Sequence, residues 1–274
     1  MGLSFHRTGS GVLAPVRSEA HEPAIYVPPP VWTNAYSLSF DGSSEYCYGT
    51  LAASSPAKAA DMAAMSCAAW VKTSTSASNA ILSLHTPTAG DRYMMLYHNI
   101  NKYHARIQTS TALWFHDITG LADGAWHHFV AGWSNSSPPK MWVDGVLVHT
   151  GAATVGGVFN DAGKVFTDIG VAYSPNWPSN KFNGKIDECA YFPGVFLSDD
   201  DATAMYNAGA PNDLTDSGSY DTDRSGDLAL YYRNGDGTEA AGNVAPYDMA
   251  GTGNETDLSW ASMDATNYVT DVPT

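Results

Sequence analysis

The run from Trp126 to Gly145 constrains this chain more than any other stretch. It reads W-H-H-F-V-A-G-W, then a polar break Ser134-Asn-Ser-Ser-Pro-Pro139, then K-M-W-V-D-G. Aromatic and β-branched residues fill both runs, and such side chains suit a pleated, half-buried surface. The break is built of turn formers. Asp144-Gly145 is a dipeptide favoured in two-residue hairpin turns, where both positions take positive φ. The segment therefore predicts a strand, a loop, a strand, a tight turn and a third strand over Val146–His149. An antiparallel meander of this kind belongs to an all-β sandwich. It holds no phosphate loop, no metal-finger spacing and no nucleophile elbow, so function has to be argued from a β scaffold.

Turn signals recur at the 8- to 12-residue spacing of such folds. Strands are expected at Tyr36–Phe40, Glu45–Tyr48, Ser66–Lys72, Ala80–His85, Arg92–His98, Tyr103–Gln108, Leu113–Asp117, Lys164–Ile169, Phe182–Phe192 and Leu228–Tyr232. Alternation puts Phe182, Gly184, Ile186, Glu188, Ala190 and Phe192 on one face of their strand, with Asp187 and Cys189 on the other. Ser198 is a good N-cap, Asp199–Asp201 suit the positive end of a helix dipole, and Gly209 is a stop. One short helix is expected there. Residues 52–64 read as an Ala-rich loop with one helical turn. Residues 1–35, with Pro28-Pro29-Pro30, read as an extended N-terminal arm. Its apolar Val12, Leu13, Val16, Ile25, Tyr26, Val27 and Trp32 favour docking on a partner subunit over a solvated tail. Three parts follow: the arm at 1–35, a sandwich at 36–212, and an Asp/Gly-rich segment with a late strand and C-terminal tail packing on the sandwich at 213–274. Of the eight tryptophans, Trp70, Trp126, Trp133 and Trp142 lie in strands and are expected in the core.

The net charge of −15 makes nucleic acid and anionic membranes poor partners. It is compatible with a basic protein partner or with calcium. The odd count of three cysteines, Cys47, Cys67 and Cys189, without a C-x-x-C pair, reads as three buried thiols. The first twenty residues show no apolar leader core, and His6 breaks the myristoylation pattern. The chain is therefore expected to be made in a cytoplasm.

In order along the chain stand S-L-S-F-D-G at 37–42, S-C-A-A-W-V-K at 66–72, I-L-S-L at 81–84, D-G-A-W-H-H-F-V-A-G-W at 123–133, K-M-W-V-D-G-V-L-V at 140–148, F-N-G-K-I-D-E at 182–188 and A-M-Y-N-A-G at 204–209. This set resembles a laminin G-like domain of the concanavalin A-like superfamily. The resemblance implies a two-sheet antiparallel jelly-roll sandwich. It also implies a possible calcium ion, with Asp187 as first ligand and Asp41 and Glu188 as weaker ones. The competing reading of Asp187 is a hydrogen-bonded carboxylate. L-A-L-Y-Y-R-N-G-D-G at 228–237 and V-T-D-V-P at 269–273 resemble the tail such domains carry in proteins of tailed bacteriophages.

Sugar hydrolysis requires two carboxyl groups flanking the bond. The six glutamates do not supply the E-x-D-x-E spacing that hydrolases of this superfamily use. Nine histidines are scattered, and the adjacent His127 and His128 point to opposite faces of a strand, so neither reads as a metal centre. The run 221–227 copies half an EF-hand loop but meets Tyr232 where a glutamate is needed. Tyr173, Trp177 and Trp114 lie in or near loops and are the candidates for stacking on sugars. The expected function is non-enzymatic: a virion structural protein of a tailed phage, a capsid decoration protein anchored by its arm. It would assemble as a homo-oligomer, trimer or dimer, with phage capsid subunits as partners. The alternative is a carbohydrate-binding module or lectin for cell-surface glycans.

Overall fold

The structure is a computed structural model that describes residues 5–7, 13–15, 33–51, 55, 62–75, 79–85, 93–99, 102–159, 165–171, 181–236, 239–242, 245–250 and 257–274. The chain divides into Met1–Trp32 and Thr33–Thr274. Within the first unit, β1 (Phe5–Arg7) and β2 (Leu13–Pro15) form an antiparallel ribbon, with His6 opposite Ala14. Of the docking residues proposed for the arm, Leu13 has a described backbone only. Val12, Val16, Ile25, Tyr26, Val27 and Trp32 lie outside the described residues.

The second unit is a sandwich. Its strands are β3 (Ser37–Asp41), β4 (Tyr46–Thr50), β5 (Ala64–Lys72), β6 (Asn79–His85), β7 (Tyr93–Asn99), β8 (Lys102–Gln108), β9 (Leu113–Thr119), β10 (Trp126–Ser134), β11 (Lys140–Val143), β12 (Val146–Thr150), β13 (Phe166–Ile169), β14 (Asn183–Pro193), β15 (Leu230–Tyr232), β16 (Ser259–Ala261) and β17 (Tyr268–Val269). One sheet of eight runs β12-β11-β10-β5-β14-β3-β17, with β15 also paired to β14; the other, of seven, runs β16-β4-β13-β6-β7-β8-β9. All pairings are antiparallel. The meander forms as its residues dictate: Asp144 (φ 50°) and Gly145 (φ 73°) make the left-handed turn that joins β11 to β12. Segment 213–274 does more than pack on the sandwich, because β15 and β17 extend the larger sheet and β16 extends the smaller.

Between the sheets, Cys67, Ala69, Val71, Phe129, Ala131 and Trp133 meet Leu82, Leu84, Leu96, Tyr103, Ala105 and Ile107. All three cysteines are free thiols inside this layer. The larger sheet is covered on its other face as well. There Ala68, Val130, Trp142, Ala190 and Phe192 pack under Leu197, Ala202, Met205, Leu214, Tyr220 and Leu228. Helix α1 (Asp199–Tyr206) belongs to this third layer. Burying a ring as large as tryptophan's contributes on the order of 4–6 kcal/mol. Both fully buried indoles also place their N–H: Trp133 Nε1 donates to the Val155 carbonyl (2.9 Å) and Trp142 Nε1 to Asp199 (3.0 Å). Trp70 is buried as expected, but Trp126 is only partly buried, because it sits at the end of β10 with its N–H on Asp271.

Ser198 and Asp201 form a reciprocal capping box at the start of α1. The helix ends at Asn207 (φ 46°), not Gly209, because the asparagine itself takes the left-handed cap. A second departure lies in β14. Asp187 is opposite Trp70 and Ala190 is opposite Ala68, so the strand carries one extra residue, and Glu188 sits at φ 48°. This bulge breaks alternation. Ile186, Cys189 and Tyr191 consequently face the interior layer, while Ala190 and Phe192 join the outer one. The shared face expected from Phe182 to Phe192 therefore splits at Glu188, and Cys189 lies with Ile186, the residue it was expected to oppose.

Candidate functional site

The bulge gathers a buried polar cluster. Asp187 is fully buried and Glu188 is 2% exposed. Asp187 Oδ1 accepts from the Glu188 amide (2.9 Å), and its Oδ2 has no hydrogen bond. Asn34 lies beside the same carboxyl. Glu188 is held by the Tyr231 hydroxyl and lies 3.7 Å from Arg233 Nε. Asn234 donates to the Ile186 carbonyl (3.1 Å), and Asp236 accepts from the Ala35 and Tyr36 amides (2.7 and 2.8 Å). The turn at 234–236 thus ties the start of β3 to the bulge. Burial pushes Asp187 well above its ordinary value, and the neighbouring Glu188 and Asp236 charges push the same way. Burial likewise pushes Glu188 up to about 8, against the opposing pull of Arg233 and the Tyr231 hydroxyl.

The three residues expected to share a calcium ion are not brought together. Asp41 stands opposite Asn183, four residues before Asp187 on β14, which is about 13 Å along the strand. Its carboxylate is spent on its own turn, accepting from the Ser43, Ser44 and Glu45 amides and from the Ser43 and Ser44 hydroxyls. These bonds hold Asp41 far below the usual carboxylate range despite some desolvation. Asp187 Oδ2 and the Asn34 and Asn234 carboxamide oxygens are each buried and without a geometric hydrogen bond among the described residues. Sequence reasoning missed both asparagines, since Asn34 sits in a predicted arm and Asn234 in a predicted turn.

A second polar group lies on the smaller sheet, on the face turned away from its partner. Leu82 and Leu84 point into the interior layer, so Ser83 and His85 point out. Asp168 of β13 is paired with both Ser83 and Tyr48. Register continues this row from Ser83 through the backbone of Met95 to Arg106, four strand spacings from Tyr48, or about 19 Å. Asp168 Oδ2 binds His85 Nε2 (2.8 Å) and accepts from Ser83 Oγ (3.2 Å). Although they face outward, Ser83, His85 and Asp168 are all 3% exposed or less. Phe166 stacks on the His85 ring at 5.5 Å. His85 Nδ1 is buried and has no hydrogen-bond partner among the described residues. Tyr48 is 44% exposed, and its ring is 5.7 Å from that of Tyr46. Ser83 gives its proton to Asp168 rather than to His85, so the trio is wired as a hub around a carboxylate. It lacks the nucleophile-to-base bond of a hydrolytic triad.

The nominated aromatic residues fare differently. Tyr173 and Trp177 lie outside the described residues. Trp114 turns toward the core and stacks with His116 and His149 (6.4 and 6.0 Å), so it offers no open platform, because its strand position alternates inward. His127 and His128 point to opposite sides as expected. His127 binds Asp144 (2.8 Å) and Asp123, whereas His128 is buried against Trp70 (5.0 Å).

Two stacked antiparallel sheets, the larger covered on its outer face by a helix, define a jelly-roll sandwich. The chain belongs to the Laminin_G_3 family of the concanavalin A-like lectin/glucanases superfamily, whose model matches residues 45–201. No curated protein matches it. Among solved structures it is similar to a candidate carbohydrate-binding protein from Bacteroides ovatus (17% identity, TM-score 0.59), over 87% of this chain and 61% of that one. The chain thus spans about three-fifths of that relative's length. A heptameric SAP-like pentraxin from Limulus polyphemus (13% identity, TM-score 0.48, 63% and 82% of the two chains) is also similar. So is the CBM40 module of a Ruminococcus gnavus IT-sialidase (15% identity, TM-score 0.47, 62% and 96%). At 17% identity the Bacteroides structure speaks for the fold alone. Among the described residues no helix is long and apolar enough to cross a membrane.

Proposed function

We propose that the chain is a non-catalytic carbohydrate-binding module that holds a glycan on the outward face of its smaller sheet. The observation that carries this reading is the exposed Tyr48 ring, whose strand is paired at that position with Asp168 on the outward face. A sugar ring offers an apolar face for the exposed Tyr48 ring, while the buried Asp168–Ser83–His85 hub fixes the strands that carry it. The Bacteroides relative, described as a candidate carbohydrate binder, supports the same reading. The hub geometry of Asp168 favours holding over hydrolysis. The virion role draws no support from the structures this chain resembles, and segment 228–237 forms β15 and the turn that clamps β3.

A glycan array read with the wild-type protein and Tyr48→Ala tests the proposal. Tyr48 is exposed, so its loss should leave the melting temperature unchanged and weaken every glycan hit by about tenfold, the equivalent of about 1.4 kcal/mol. Hits that are indifferent to Tyr48, or a wild-type protein that binds nothing, would overturn it. We separately propose a calcium site at Asp187, with the Asn34 and Asn234 carboxamide oxygens as its neutral ligands. Added calcium should raise the melting temperature of the wild type and leave Asp187→Asn unmoved; equal responses would refute the placement.

A further inference from the structure

On the outer face of the larger sheet, Trp126 is paired with Lys72, Lys72 with Lys185, and Lys185 with Ser39. Two ammonium groups directly opposite one another on neighbouring strands repel. The chain has only 13 lysines and arginines and a net charge of −15, so two of its few cations are held together where they need an anion. The anion present is Asp271. One carboxylate oxygen accepts from Lys72 Nζ (2.9 Å) and Trp126 Nε1 (3.1 Å), and the other from Lys72 Nζ (2.9 Å) and Lys185 Nζ (2.6 Å).

The two partners in this contact are unequal. Lys72 and Lys185 stand on β5 and β14, central strands locked on both sides. Asp271 lies two residues beyond the two-residue strand β17, in a segment with no strand pairing, and its side chain is 38% exposed. Two cations on one carboxylate form a network that holds the Asp271 carboxyl below its usual range, and the Ser37 hydroxyl donates to the Asp271 carbonyl (2.7 Å). Of the partners in this contact the carboxylate alone stands outside a strand, so it is the part that can leave while the cations stay in place. Beside the row opens a cleft of about 270 Å³, lined by the two lysines and by Ser39, Thr73, Ser74 and Asn183. That space suits one small ring, and its hydroxyl and carboxamide groups match a hydroxyl-rich ligand.

We propose that the Trp126–Lys72–Lys185–Ser39 row is a receptor for the carboxylate of an acidic sugar, a uronic acid unit, and that Asp271 is a built-in occupant which such a ligand displaces. The site lies on the opposite sheet from Tyr48 and does not depend on the glycan face proposed there. A resident competitor lowers apparent affinity by the fraction of time it occupies the site.

The test is calorimetric titration of the full chain with sodium D-glucuronate, and with D-glucose as the neutral control. Asp271→Ala should bind glucuronate at least ~10-fold more tightly than the wild type, because an intramolecular competitor has been removed. Glucose should gain nothing. Adding Lys72→Met to Asp271→Ala should abolish the gain. If Asp271→Ala does not fold, Asp271→Asn keeps the shape, removes the charge and carries the same expectation. Equal glucuronate affinity in wild type and variant would overturn the proposal. So would a variant that captures the acetylated peptide Asp-Val-Pro-Thr but not glucuronate, since the row would then be a peptide latch.

Discussion

Replacing Glu188 with glutamine removes a pH dependence that the fold itself creates. The Glu188 carboxyl is 2% exposed, and burial lifts it from an ordinary value of 4.5 to about 8. Between those two values the native state holds a proton that the unfolded chain has released. The stabilising contribution of the group is therefore fully present below pH 4.5 and is lost as pH rises through about 8. One such proton makes stability fall by about 1.4 kcal/mol for each pH unit across the window. Asp187 is raised by the same burial and remains in the variant, so the variant keeps part of the slope. Glutamine retains the shape and an acceptor oxygen for the Tyr231 hydroxyl. Urea unfolding followed by tryptophan fluorescence at pH 5, 6, 7 and 8, with chelator present, gives the measurement. The wild type should lose stability across the series, and Glu188→Gln should lose about 1.4 kcal/mol less per pH unit. A uniform offset between the two proteins says nothing, because only the slopes differ in this reasoning. Parallel lines would refute it and show that Glu188 is ionised in the native state throughout.

Other substitutions test the scaffold. A Cβ on Gly184 (φ 143°) would press into the Lys72 carbonyl oxygen, so Gly184→Ala should cost at least about 3 kcal/mol or prevent folding, visible in yield and denaturant midpoint. Ser198→Ala removes half of the capping box on α1 and should cost about 1 kcal/mol in the same assay. The adjacent histidines should separate in an NMR titration. His127 should titrate above 6.5 because Asp144 holds its charged form, and His128 near 4 because it is buried. The His127 contribution is then lost as pH rises through its raised value, and that of His128 as pH falls from 6.5 toward 4. Coincident titrations would contradict both environments.

The meander and the order of the main strands were legible because each depends on near neighbours. The Asp144-Gly145 turn, the Ser198 cap and the alternation of β8 and β10 can each be read within a few residues. The bulge at Glu188 could not be read this way. A single extra residue leaves the local pattern plausible and shows only against β5, about 120 residues earlier in the chain. The short strands β16 and β17 were missed for a related reason, since two or three residues carry no periodicity and gain their pairing from β4 and β3. The same limit governed the sites. Asp187 was found through a motif, but Asn34, Asn234 and the partnership of Asp271 with Lys72 join residues up to about 200 positions apart. Tyr48, Ser83, His85 and Asp168 come from three strands and carry no signature in any one of them. Trp114 misled because a tryptophan near a loop reads as open, whereas its edge strand turns it inward.

The three thiols between the sheets give the molecule a built-in reporter. Burial pushes the Cys47, Cys67 and Cys189 sulfhydryls far above the range in which a thiolate forms at neutral pH. An alkylating reagent in the surrounding buffer therefore meets no nucleophile until the two sheets part. Because these positions are spread over β4, β5 and β14, their labelling rates compare separate parts of one interior. Equal rates would mean the layers come apart as a unit, and a faster one would mark where they first open.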